Sequence, residues 1–199
     1  MAERIKLNKV SLREQKQKLA LYRRFLPALE ARKQQFLLQL GVVRKDIQRR
    51  REALSALLTA MAQWSALVWD LEPLMRYFLA IEKVGFSLHN VAGLKIPHFE
   101  SVVFADPDYS VFATAYSFET VLARMREAIE LREEIRILEE QERILSDGFR
   151  KTSQRINLYE QRLIPDCREA LRKIAVYLQD QQAAAVGVAK AAKRLSAGE

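Results

Sequence analysis

LALYRRFLPALEARKQQFLLQLGVVRKDIQRRREALSALLTAMAQWSALV, Leu19 to Val68, decides the fold. Stepping through it by threes and fours lands on Leu19, Tyr22, Leu26, Leu29, Lys33, Phe36, Leu40, Val43, Ile47, Arg50, Leu54, Leu57, Met61, Trp64 and Val68. Of these only Lys33 and Arg50 are charged. A seam with that repeat predicts one long helix packed lengthwise against another helix. Its polar flanks cannot cover such a stripe, so the rest of the chain is read for whatever does.

Upstream, Ser11-Leu-Arg-Glu14 reads as a capping box with Ser11 as N-cap, although Ile5, Asn8 and Leu12 extend the heptad further back. Pro27 falls inside the helix, and the seam resumes in register after it, which predicts a kink and no stop. Downstream, the apolar helical texture continues to Val84, with Pro73 as a second kink or break and Gly85 as C-cap. Residues 86–118 differ: they hold Gly93, Pro97 and Pro107 among aromatic and β-branched residues. Asp106-Pro107-Asp108 between Val102-Val103-Phe104 and Tyr109-Ser110-Val111-Phe112 predicts a short β-hairpin near 101–113.

A second seam follows: Ala128, Leu131, Ile135, Leu138, Glu142, Leu145, Phe149, Thr152, Ile156, Tyr159 and Leu163. It slips at Pro165 and resumes at Ala170, Ile174, Tyr177 and Gln181. Gly148 weakens this helix by about 1 kcal/mol relative to alanine. The expected fold is mainly α: a long antiparallel two-helix coiled coil with a short hairpin at the bend. It is one elongated domain with a helix over 1–84, the hairpin segment over 85–118, a helix over 119–182 and a flexible tail over 183–199. Position n then faces roughly position 201 − n, and Leu40, Ile47, Leu145 and Ile156 lie in the shared seam. The off-type seam residues Lys33, Arg50, Glu142 and Thr152 either fix register or snorkel to water.

Composition agrees and sets exclusions. Six glycines and five prolines in 199 residues, with 49% hydrophobic and 29% charged residues, suit a helical protein. A single cysteine, Cys167, excludes an internal disulfide and a cysteine-based zinc site. No apolar signal segment follows Met1 and no apolar run reaches the ~18 residues of a membrane span, which points to the cytosol and against membrane insertion. His89 and His98 lack metal-ligand spacing and read as surface or packing residues, and no phosphate loop or nucleophile–base set accompanies them. No cofactor and no catalytic activity are expected. Charge is segregated: residues 1–51 carry 15 Lys/Arg against 4 Asp/Glu, residues 52–147 carry 8 against 16, and residues 148–199 carry 10 against 5. The predicted fold gathers both basic segments at one tip.

The run Lys151-Thr-Ser-Gln-Arg-Ile-Asn-Leu-Tyr-Glu-Gln-Arg-Leu-Ile-Pro165 resembles Lys-Thr-x-Arg-Arg-Val-Asn-Ala-Leu-Glu-x-x-x-Ile-Pro of the D subunits of V-type and A-type rotary ATPases. Leu29-Glu-Ala-Arg-Lys-Gln-Gln-Phe36 and Asn90-Val-Ala-Gly-Leu-Lys-Ile-Pro97 resemble two further segments of that family in order. Arg155, Asn157 and Pro165 are the most specific matches, while Gln154, Tyr159 and Glu30 depart from the pattern. The resemblance implies a central rotor stalk, linking ATP hydrolysis or synthesis in the head to proton or sodium movement through the membrane. Its implied partners are the catalytic A and non-catalytic B subunits, the small F subunit of the rotor, and the C/d subunit that leads to the membrane ring of c (or K) subunits. It places the protein at the cytoplasmic face as a peripheral member of the complex. Arg4, Lys6, Lys9, Arg13, Arg23 and Arg24 are then expected to face the head, and the coil around 52–84 and 119–147 to meet the F subunit. The heptads alone fit a non-rotary coiled-coil scaffold equally well. The basic ends alone would suit nucleic acid or a membrane surface, without any recognition motif to support either.

Overall fold

The computed structural model describes residues 6–63, 75–105 and 117–197. It is mainly α, with two long helical regions and one two-stranded antiparallel sheet. The elements are α1 (Lys9–Ala62), β1 (Ile81–Val91), β2 (Leu94–Phe104), α2 (Phe118–Leu158), a π-helical turn (Tyr159–Leu163) and α3 (Ile164–Ser196). Contacts group the chain into two compact units, one made of its two ends (to Lys33 and from Lys151) and one of Gln34–Arg150.

Helix α1 begins earlier than the expected cap. Asn8 is its N-cap: Asn8 Oδ1 accepts a 2.7 Å bond from the Ser11 N–H, satisfying one of the free amides of the first turn. Ser11 is therefore inside the helix, at N3. The helix runs through Pro27, in keeping with the uninterrupted heptads. Every described seam position from Leu19 to Met61 is half-buried or buried, while the residues between them are mostly exposed. Trp64, Val68 and Pro73 lie outside the described residues.

In the Gln34–Arg150 unit, Phe36, Leu40, Val43 and Ile47 of α1 pack with Leu138 and Leu145 of α2. The helices are antiparallel, since Arg44 pairs with Glu142 while Arg51, further along α1, pairs with Glu139, earlier in α2. The register differs from the one expected. Arg44 meets Glu142 and not position 157, because the chain turns back at Ala92-Gly93 and not near residue 100.

The hairpin is longer than expected and lies earlier. β1 pairs with β2 from Ile81↔Phe104 to Val91↔Leu94, so the 101–104 strand lies against 81–85. Residues 81–84, expected in the first helix, are strand, and Gly85 sits inside it. The residues 106–113 of the expected hairpin lie outside the described residues. The true turn is the two-residue Ala92-Gly93, both at positive φ (50° and 81°), the backbone that matches the twist of paired strands. Asn90 Oδ1 accepts the Gly93 N–H at 3.0 Å and fixes the turn. A second small core, Met75, Phe78, Phe118, Val121 and Leu122, lies near the strand ends, with Phe78 edge-on to Phe118.

In the unit of the two ends, the pairing is also antiparallel. Tyr22 stacks at a tilt on Tyr159, and Lys18 lies close enough to Cys167 to act on its thiol. The expected slip at Pro165 is present: the buried beat passes from Ile156 to Ile164, eight residues on, before the three-four spacing resumes. Cys167, Ala170 and Ile174 are buried in step with Ile164, and the extra residue is absorbed by the π turn Tyr159–Leu163 just before Pro165 enters the first turn of α3. The expected boundary at 182 is not structural: α3 continues to Ser196 with its residues exposed.

Candidate functional site

The features with the most built geometry lie along the α1–α2 seam and where the hairpin docks on it. Leu40, Ile47 and Leu145 share the main core cluster, and Ile156 is buried in the other unit. Three ion pairs flank the seam: Arg44 Nε–Glu142 Oε1 at 2.6 Å, Arg51–Glu139 at 2.6 Å and Arg50–Glu134 at 2.9 Å. The seam residues Arg50 and Glu142 thus reach outward to partners on the facing helix. Such partly exposed pairs contribute at most about 1 kcal/mol each, so their effect is on register more than on stability. Thr152 is buried.

The hairpin docks through residues that no heptad announces. Gln141, buried on α2, donates its Nε2 to the Pro97 carbonyl at 2.6 Å. Within a strand the N and the C=O of one residue point the same way, so the ring nitrogen of Pro97 also faces out of the ladder, where no amide is missed. Gly148 leaves room for Leu94: a Cβ there would collide with Leu94 Cδ1 and stand 3.4 Å from Phe36 Cζ. The glycine that reads as a helix weakness is a close-approach site. At the other end, the Arg126 guanidinium donates to the carbonyls of Phe78 (3.1 Å) and Ala105 (3.0 Å) and lies 5.2 Å over the Phe104 ring. Arg126 therefore gathers both ends of the hairpin onto α2. The off-beat apolar residues Ile137 and Ile144, spaced with Gln141 and Gly148, are the sequence signal for this second face of α2.

A groove of about 570 Å³ lies between the hairpin and α2, lined by Val84, Phe86, Leu88, Pro97, Ile137 and Ile144 among others. Phe86 and Leu88 are 56% and 60% exposed. Nothing in this lining forms a nucleophile–base or acid–base set. Glu140 is held below the ordinary carboxylate range by its hydrogen bond and charge contact with Arg143. Burial pushes the Cys167 thiol up, with Lys18 acting against it.

The expected head-facing residues Lys6, Lys9, Arg13, Arg23 and Arg24 are all exposed, and Arg4 lies outside the described residues. Of the motif residues, Arg155 and Asn157 are exposed at the end of α2, and Pro165 is exposed at the start of α3. No described helix is long and apolar enough to cross a membrane.

Comparison with known proteins matches the chain along nearly its whole length. The family profile of the ATP synthase D subunit covers residues 11–194. The chain is 33% identical over 190 residues to the V-type ATP synthase D subunit of Borreliella burgdorferi, covering 96% of this chain and 94% of that protein. It is 31% identical over 200 residues to the protein of the same name in Chlamydia caviae, covering 98% and 94%. It is 32% identical to that of Chlamydia felis with the same coverage. The resemblance carried by Lys151–Pro165 thus extends over the whole helical framework, and the chain belongs to the D-subunit family of ATP synthases.

Proposed function

We propose that this protein is the central rotor shaft of a V/A-type rotary ATPase, passing torque between nucleotide chemistry in the head and proton or sodium movement through the membrane ring. Membership of the D-subunit family over residues 11–194 carries the reading. The shaft is non-catalytic, and its end unit turns inside the ring of A and B subunits. Its other contacts are the F subunit, along the end of α1 from Glu52 and along α2 over 119–147, and the C/d subunit that leads to the c/K ring at the cytoplasmic face. The exposed Leu58, in line with Leu54 and Ala62 on one face of α1, supports a partner along that coil.

The physical chemistry suits the division of labour. A bearing must not lock one angle, and long solvated Lys and Arg side chains give soft contacts that salt screens. The segments to Lys33 and from Lys151 hold 19 Lys/Arg against 8 Asp/Glu, whereas Gln34–Arg150 holds 14 against 17. Replacing Lys6, Lys9, Arg13, Arg23 and Arg24 together with glutamine is expected to weaken binding to the A/B head and lower coupling of ATP hydrolysis to ion pumping. The gap from the unaltered chain should be widest at low salt and close as salt rises. Unchanged assembly and coupling across the salt range would overturn the assignment of this end to the head.

A further inference from the structure

His89 and His98 are nine residues apart in sequence, a spacing with no metal-binding meaning on a helix or an open loop. The hairpin register changes that. His89 is paired with Ile96 and His98 with Ser87, so the two histidines are diagonal neighbours on one face of the sheet. Their rings stack at 4.9 Å between centroids with 17° between planes. Both side chains are exposed, so either ring turns without disturbing the core. Ser87 Oγ lies 3.5 Å from His89 Nε2.

We propose that His89 and His98 form a two-imidazole site for a divalent late transition metal, of the Zn²⁺, Ni²⁺ or Cu²⁺ class. Neutral imidazole is the preferred nitrogen donor for these ions and a poor ligand for Mg²⁺ or Ca²⁺. Two nitrogens at about 2.0–2.1 Å from a tetrahedral metal stand closer together than the present ring centroids. A turn of the exposed rings brings one nitrogen of each to that separation. The strands hold the two Cα positions fixed, so chelation orders two side chains and no backbone. The Ser87 hydroxyl is placed to accept the Nε2–H of His89, which leaves Nδ1 as the ligand atom and fixes the tautomer, the usual task of the group behind a metal-bound histidine. The remaining coordination positions stay open to water or to a carboxylate or imidazole of another molecule. The metal bridges β1 to β2 beside the turn and thereby adds a cross-link to the hairpin.

The test is calorimetric titration of the full-length chain, free of any histidine tag, with Cu²⁺, Ni²⁺ and Zn²⁺ separately. Binding of one ion per chain is expected, strongest for Cu²⁺, unaffected by millimolar Mg²⁺. His89→Ala and His98→Ala are each expected to weaken it at least about tenfold, with the double variant little weaker than either single one, as for chelation by a pair. Ser87→Ala is expected to weaken it less, by a few-fold. Circular dichroism of each variant confirms the fold, which these exposed positions do not support. Zn²⁺ is also expected to raise the melting temperature of the unaltered chain and not of the double variant. Equal affinity in the unaltered chain and the double variant, or loss from one histidine alone, would overturn the proposal.

Discussion

The two units use the same heptad differently. In Gln34–Arg150 the seam is shut: Phe36 and Leu145 are completely buried, ion pairs flank it, and a hairpin covers one side. In the unit of the two ends, the α1 seam residues Leu19, Tyr22, Leu26 and Leu29 are only half-buried, although Ile164, Cys167, Ala170 and Ile174 on α3 are buried. Tyr177 and Gln181, on the beat, are exposed and bond to each other along one helix. A heptad specifies which face turns inward, while side-chain size and a third element decide how tightly it closes.

The strongest way to break this contrast is to put a charge in each seam. Leu145→Asp is expected to cost about 3–5 kcal/mol, because an unpaired carboxylate then replaces a fully buried leucine. Leu29→Asp, in the half-open seam, is expected to cost less than half as much, since water reaches it. Urea unfolding of the two variants compares them directly, and equal costs would erase the distinction.

Gly148→Val tests whether the hairpin contributes to the closed unit. The added side chain must displace Leu94 and crowd Phe36, for an expected loss of about 1–3 kcal/mol. Amide exchange should speed up in β2 before it does in α3. Gln141→Leu is expected to cost about 1–3 kcal/mol by leaving the Pro97 carbonyl without its donor. Its exchange signature should again be confined to the Gln34–Arg150 unit. Ala92→Gly acts the other way. It relieves a left-handed alanine and should raise stability by up to about 1 kcal/mol, read as a higher urea midpoint.

The smallest effect belongs to the end unit. Burial raises the Cys167 thiol above its ordinary range, so the reactive thiolate is scarcer in the folded chain than in the unfolded one at any pH below the raised value. Alkylation by iodoacetamide near pH 8 should be slower than in urea, and the gap should narrow as pH rises through the folded value. Because this group's neutral form is favoured in the folded state, its contribution to stability is present at low pH and fades as pH rises past the unfolded pKa.

The helical framework was legible in the sequence because the heptad is a local repeat, and each beat from Leu19 to Met61 lies on the inward face. The hairpin is harder to place because Asp106-Pro107 is a stronger turn signal than Ala92-Gly93. Alanine at a positive φ is unusual, and only pairing with β2 reveals the turn. By sequence alone, Gln141, Gly148 and Arg126 are an off-seam polar residue, a flaw and a surface charge. Their partners are carbonyls and a leucine far along the chain, and tertiary proximity of that kind leaves no local pattern. The histidine pair is hidden for the same reason. Of the expected interaction residues, those on the seam can be placed by period alone. Exposed arginines and lysines carry no sign of what they face.

Rotation of this chain can be watched directly. Lys83, exposed on β1, offers an attachment point for a bead through a Lys83→Cys change in a chain whose Cys167 is replaced by serine. With the head of the assembled complex fixed to a surface, ATP is expected to drive the bead in one direction in discrete steps, at a rate that follows ATP hydrolysis. A bead that stays still or only fluctuates while the same complexes hydrolyse ATP would contradict the account of this chain as the rotor shaft.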